Sequence, residues 1–197
     1  MRPLPETWPT MPTNLCRFYD VWQAAREDND GGIPYRRQLG LPVLRALSAH
    51  LVVFERIGPG DLRVKMSGTA MDALFDRNLT GASIYDVAER NAGDAMVAFY
   101  EALLDHPAGG YACDILVMET GKRIRAEYLT LPLLNRDGER VQVASLCETE
   151  IDGYGLPSKG LEPRITYSEL VSVSHLDIGL GLPDYTFTMK GNAPDKK

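Results

Sequence analysis

The segment spanning residues 62–87, LRVKMSGTAMDALFDRNLTGASIYDV, constrains the fold more than any other stretch. Leu62, Val64 and Met66 alternate with Arg63, Lys65 and Ser67, the pattern of a strand with one buried and one wet face. Gly68 can take a backbone conformation closed to other residues, and Thr69 stands three before Asp72 as in a capping box. Met71, Leu74 and Phe75 then share one helical face. A strand that feeds straight into short helices folds them back over its own face, which makes a lid over a sheet.

The remaining chain supplies that sheet. Behind a proline-rich lead, Asn14 is placed to cap a helix with Leu15, Phe18, Tyr19, Trp22 and Ala25 on one stripe. Such a stripe must cover either the sheet or a second subunit, and we expect a dimer interface at Trp22. Residues 33–40 form a connector holding Arg36 and Arg37, which would bind an anion or stay solvated or paired. A short helix over residues 42–48 precedes a strand at 50–57, and Gly58-Pro59-Gly60-Asp61 turns that strand into the one at 62. Asn91 opens a longer helix with Asp94 in its first turn and Met96, Phe99, Tyr100 and Leu103 on one face. His106 to Gly110 stops it.

Three strands follow, over residues 111–119, 122–134 and 139–151, the last two joined by Asn135-Arg136-Asp137-Gly138. In the middle one the apolar parity switches from Ile124, Ala126 and Tyr128 to Leu129, Leu131 and Leu133. The switch marks a bulge or a strand buried on both faces. The order β-β-α-α-α-β-β-β describes a five-stranded α+β domain over residues 48–152 with helices on one face. Residues 1–47 form a helical extension and connector. Residues 153–197 form a partly disordered extension, with a linker at 153–160 and disorder at 191–197. Its segment 165–178 is apolar enough to pack, across a dimer or on the outer sheet face, with Val171 and Val173 spaced as in a strand.

A length of 197 residues, with 44% hydrophobic and 24% charged residues, suits one globular domain with extensions. A net charge of −6 argues against nucleic acid or an anionic membrane as partner. Prolines break the N-terminal residues where a signal peptide would need an apolar run, and no stretch approaches the ~20 apolar residues of a membrane helix, so the expected location is the cytoplasm. Cys16, Cys113 and Cys147 lack ligand spacing and read as reduced thiols.

The opening hairpin, the lid segment, the single longer helix and the closing meander LPLLNRDGERVQVASLCETEI together resemble a PAS domain. Pro34-Tyr35-Arg36, Ser67-Gly68-Thr69 and Leu79-Thr80-Gly81 are similar to the pattern of short single-PAS proteins found chiefly in alphaproteobacteria. The resemblance covers residues 14–151. It implies a sheet order 2-1-5-4-3 and a stand-alone sensor or adaptor in bacterial signal transduction. Such a protein acts through a small ligand, through homodimerisation and through a signalling protein partner.

The residues narrow the chemistry. Asn14-Leu15-Cys16-Arg17-Phe18 echoes a flavin-photoreceptor thiol motif but carries an inserted Leu and precedes the first strand. His106 ends its helix beside Pro107, where it would meet the last carbonyls rather than a haem. Neither flavin nor haem is supported, the cofactor is left unnamed, and no metal-ligand spacing or catalytic set stands out. Phe54, Met66, Met71, Phe75, Met96, Tyr100, Tyr111, Tyr128 and Ser145 are the residues expected to line a ligand site, the methionines giving it an adaptable wall. Asp114 either joins them or points to solvent. Two other readings stay open: an enzyme or carrier with a cone-shaped pocket, and a structural dimerisation module with a filled core.

Overall fold

The computed structural model describes residues 4–87, 90–150 and 165–184. Strand-forming residues pair as β1 (Leu51–Gly58), β2 (Asp61–Ser67), β3 (Gly109–Met118), β4 (Arg123–Leu133), β5 (Gln142–Glu150) and β6 (Ile165–Leu176). All neighbours are antiparallel, in the order β2-β1-β5-β4-β3-β6. The sheet therefore has six strands where five were expected. The sixth comes from the segment expected to lie across a dimer or on the outer sheet face. It runs instead along β3, from Gly109 opposite Leu176 to Met118 opposite Ile165. Without it the N–H and C=O groups on that side of β3 would form a bare edge.

Both faces of the sheet are covered. On one lie α3 (Thr69–Leu74), α4 (Ile84–Val87) and α5 (Arg90–Asp105), reached by a two-stranded hairpin and a Gly81 turn. On the other lies α1 (Thr13–Glu27), followed by short helical turns that include α2 (Leu41–Leu44). Leu15, Phe18 and Trp22 of α1 are fully buried against Leu129, Leu131, Leu133, Ala144 and Leu146 of β4 and β5. Trp22 Nε1 donates to the backbone oxygen of Pro132 at 3.0 Å. The aromatic stripe expected at a dimer interface is thus consumed inside one chain. Because β4 keeps one continuous register with both neighbours, its parity switch reflects burial on both faces and not a bulge.

The ends of the helices are satisfied by distant partners. Asn14, expected to be the cap, lies in the first turn behind Pro12. The cap is Glu148 of β5, whose Oε2 accepts from Asn14 N at 3.0 Å and whose Oε1 accepts from Asn14 Nδ2 at 3.2 Å. Carboxylates at helix N-termini satisfy orphan N–H groups and oppose the dipole. Glu148→Ala should therefore lose about 1 kcal/mol in urea denaturation, and a loss below ~0.2 kcal/mol would mean that α1 is held without it. At the other end of α5, Arg140 donates to the backbone oxygens of Leu104 at 2.5 Å and Asp105 at 2.8 Å. That role was expected of His106, whose Nε2 instead meets the backbone oxygen of Leu180 at 3.1 Å. Asp94 falls beyond the first turn of α5, which holds no acidic residue.

The lid begins differently from the capping-box reading. Gly68 is the N-cap of α3 with an ordinary φ of −77°, and no side chain caps the helix. Glycine is required there by space, since a Cβ would stand 2.3 Å from the backbone oxygens of both Ser48 and Ala49. Asp72 Oδ1 accepts instead from Leu79 N at 3.0 Å, which ties α3 to the following turn.

After β6 the chain crosses to the α1 face. Trp8 Nε1 donates to Asp177 O at 3.0 Å, Arg26 Nη1 donates to Ile178 O at 2.5 Å, and Leu176 and Ile178 are buried. The expected boundary at residue 152, the linker at 153–160 and the run 191–197 lie outside the described residues.

Candidate functional site

The side chains between the sheet and α3, α4 and α5 do not close completely. They leave a cavity of about 340 Å³. Four strands line it with alternate residues, and β6 adds a fifth side: Val52 and Phe54 come from β1, Ser145 and Cys147 from β5, Tyr128 from β4, and Ala112, Asp114 and Leu116 from β3. Period-two alternation sends each of these sets to one face. Met71 and Phe75 come from the α3 region, Ile84 and Val87 from α4, and Met96 and Tyr100 from α5. Among the lining residues Arg77, Asp86, Thr166 and Tyr167 are exposed, which puts the mouth between the α3–α4 connection and the start of β6.

Seven of the nine residues expected at a ligand site meet here: Phe54, Met71, Phe75, Met96, Tyr100, Tyr128 and Ser145. Met66 and Tyr111 do not. Val53 pairs with Met66 and Phe54 with Val64, so Lys65 is an extra residue and the parity of β2 flips at this bulge. Leu62 and Val64 face the cavity side while Met66 packs on the α1 side. Tyr111 precedes Ala112 on β3 and so faces α1 with Leu129, where burial and the neighbouring Glu127 push its hydroxyl up.

Polar groups cluster at one end of the apolar wall. Thr130 Oγ1 donates to Ser145 Oγ at 3.0 Å, and both side chains are buried. The Tyr100 hydroxyl hydrogen-bonds with this pair; its burial pushes its titration far above the ordinary range. Phe54 stacks on the Tyr100 ring with centroids 5.1 Å apart. Tyr128 reaches the Cys147 thiol, and burial drives the tyrosine well up and the thiol to about 12. Cys147 is therefore a protonated thiol at neutral pH, unlike an activated nucleophile.

Asp114 is the carboxylic acid of the strand wall. Sequence alone left it either in the cavity or in solvent; it lines the cavity. Ser168 Oγ on β6 donates to its Oδ2 at 3.4 Å, and among the described residues its Oδ1 has no hydrogen-bond partner. Desolvation pushes the carboxyl up to about 7, with the Ser168 contact working the other way.

Sequence reasoning missed the contribution of β6, which adds Ile165, Thr166, Tyr167, Ser168 and Leu170 to the lining. The histidines and the α1 thiol lie elsewhere. His106 meets Leu180, His175 stacks on Phe99 at 5.0 Å, His50 is outside the lining, and Cys16 donates to Met11 O at 3.5 Å. Arg37 lies over the Tyr35 ring at 4.4 Å, away from the cavity. Among the described residues no group of three or more His, Cys, Asp or Glu is placed to hold a metal ion. Among them, too, no helix is long and apolar enough to cross a membrane.

A family model described as PAS domain matches residues 11–147. No curated protein matches the chain. Among solved structures, the light state structure of the blue-light photoreceptor Aureochrome1 LOV aligns with a TM-score of 0.39 at 11% identity, covering 58% of this chain and 90% of that one.

Proposed function

The chain belongs to the PAS domain family, and on that premise we propose that it is a sensory module that holds a small molecule between its sheet and α3–α5. The observation that carries the reading is the cavity of about 340 Å³, apolar over most of its wall with a few converging hydroxyl and carboxyl groups. Sites for small molecules have this make-up, and this volume lies at the low end of their range of ~300–1,000 Å³. The reading is of a receptor, and the Cys147 thiol, kept protonated by burial, does not act as an activated nucleophile in it. A cytoplasmic place in bacterial signalling, a homodimeric state and a protein partner belong to the same proposal. The Met-lined lid at Met71 and Met96 is the element whose position would report occupancy.

Native mass spectrometry on the full chain, purified from its own host, tests the reading. A retained small molecule is expected in the wild type. Ala112→Leu places three more carbons in the cavity and should abolish retention while leaving Tm unchanged or raised, as filling an existing void does. Wild-type protein that is consistently empty, and unshifted by small-molecule probes, would instead favour the structural dimerisation module.

A further inference from the structure

We propose that the cavity takes a small organic amine, an apolar body whose single cationic nitrogen docks on the Asp114 carboxylate. The inference rests on the reading of the cavity as a ligand site and gives that ligand its chemical class.

Asp114 sits on β3 in the cavity wall, and the one hydrogen bond it accepts among the described residues is the long one from Ser168. A buried carboxylate is normally matched by a cation or by several donors, since leaving it alone carries the desolvation cost uncompensated. No such match faces it among the described residues. From α5 it faces Tyr100, from β4 Tyr128, from β5 Cys147 and from β6 Ser168, all neutral groups. The charged residues at the mouth are Arg77 and Asp86, and the Arg77 guanidinium donates to the backbone oxygen of Asp86. Arg125, close in sequence to Tyr128, pairs with Glu127 at 2.6 Å. The lining thus holds two acidic side chains and one basic one, and the inner carboxyl lacks its cation.

A ligand nitrogen supplies what the protein leaves out. An N–H group would donate to the Asp114 carboxylate while the Phe54, Met71, Phe75 and Leu116 side chains cover the body. An anion would meet Asp114 unfavourably. A neutral hydrogen-bond acceptor would need Asp114 protonated, and the two cases differ in the sign of their pH dependence. Burial holds Asp114 near 7 while keeping Tyr100, Tyr128 and Cys147 protonated. Amine binding therefore releases a proton below about 7 and tightens as pH rises from 6 to 8. Binding of a neutral acceptor weakens over the same range.

The test is calorimetric titration of the full chain with three probes of similar size: 2-phenylethylamine, 2-phenylethanol and phenylacetate. The amine should bind about tenfold or more tighter than the alcohol at pH 8, tighten from pH 6 to 8 and raise Tm, while the carboxylate should not bind. Asp114→Asn, checked for folding by circular dichroism, should lose the amine's advantage and keep the alcohol's affinity. An alcohol or carboxylate that binds as tightly as the amine, or an amine affinity untouched by Asp114→Asn, overturns the amine assignment and leaves the cavity reading standing. If none of the three probes binds and Ala112→Leu behaves as the wild type throughout, both readings fall.

Discussion

Trp22→Ala is expected to lower the stability of this chain by about 4 kcal/mol, measured by urea denaturation at neutral pH. Trp22 is fully buried in the middle of α1, against the leucines that β4 and β5 send to the face opposite the cavity. Removing a buried tryptophan side chain costs ~3–5 kcal/mol through lost transfer energy and residual cavity. The variant also strips the Pro132 carbonyl of the indole N–H at 3.0 Å, and an orphaned buried acceptor adds ~1–3 kcal/mol where water does not reach it. Against a total of ~5–15 kcal/mol for a typical domain, the loss is a large fraction. Trp22→Phe separates the two contributions, because it restores most of the apolar volume and none of the hydrogen bond. A loss under ~1 kcal/mol for Trp22→Ala would mean that α1 does not cover the sheet in solution. The stripe would then be free for the intersubunit contact that its sequence first suggested, and sedimentation velocity on the same variant would show it.

That stripe illustrates what sequence could and could not reach. The 3.6-residue spacing of Leu15, Phe18, Tyr19, Trp22 and Ala25 announces a helix that must be covered, and all five are buried. The identity of the cover depends on a contact some 110 residues away, to Pro132, and nothing in the spacing encodes it. The helix cap is similar: Asn14 has the right chemistry for a cap, but the carboxylate that takes the N-terminus is Glu148.

Alternation holds wherever the register is regular. Ser145 and Cys147 on β5 and Ala112 and Asp114 on β3 share faces as their spacing requires. It failed at bulges. Lys65 is an extra residue in β2 and turns Met66 to the far face. In β6 the pairing skips Val171 between Leu170 and Ser172, and skips Thr166 between Tyr167 and Ile165. The residues aimed at the cavity side of β6 therefore lose their period of two, and a strand that supplies part of the wall reads as an undecided apolar tail. The spacing of Val171 and Val173 did point to a strand, and the β-branched Ile165 and Thr166 extend that signal; what they do not encode is the pairing with β3. Tyr111 was a different case: it alternates with Ala112 and so lies on the far face, and an aromatic ring suits either face of a sheet that is covered on both sides.

Asp114→Asn should stabilise the ligand-free chain at pH 8 by up to about 4 kcal/mol, and by little at pH 4. The folded carboxyl titrates at about 7 against an ordinary 3.8, so between these values the folded chain keeps a proton that the unfolded chain has released. Stability from this group is complete below the ordinary value and is lost as pH rises toward 7, over about three pH units at ~1.36 kcal/mol each. Asparagine has no such proton, and its stability should be flat across the window except for groups shared by both chains. Glu55 and Asp177, whose carboxyls are held below their ordinary range, slope the other way at lower pH but cancel in the difference. The readout is the gap between wild type and variant in urea denaturation at pH 4, 5, 6, 7 and 8. A gap that does not widen with pH would mean that water or a protein cation already serves Asp114, and the desolvated carboxyl would have to be given up. The same slope reports the ligand, since a bound amine supplies positive charge where the proton had been. Saturating 2-phenylethylamine should flatten the pH dependence of the wild type toward that of Asp114→Asn and raise its stability most at pH 8, where the uncompensated charge costs most.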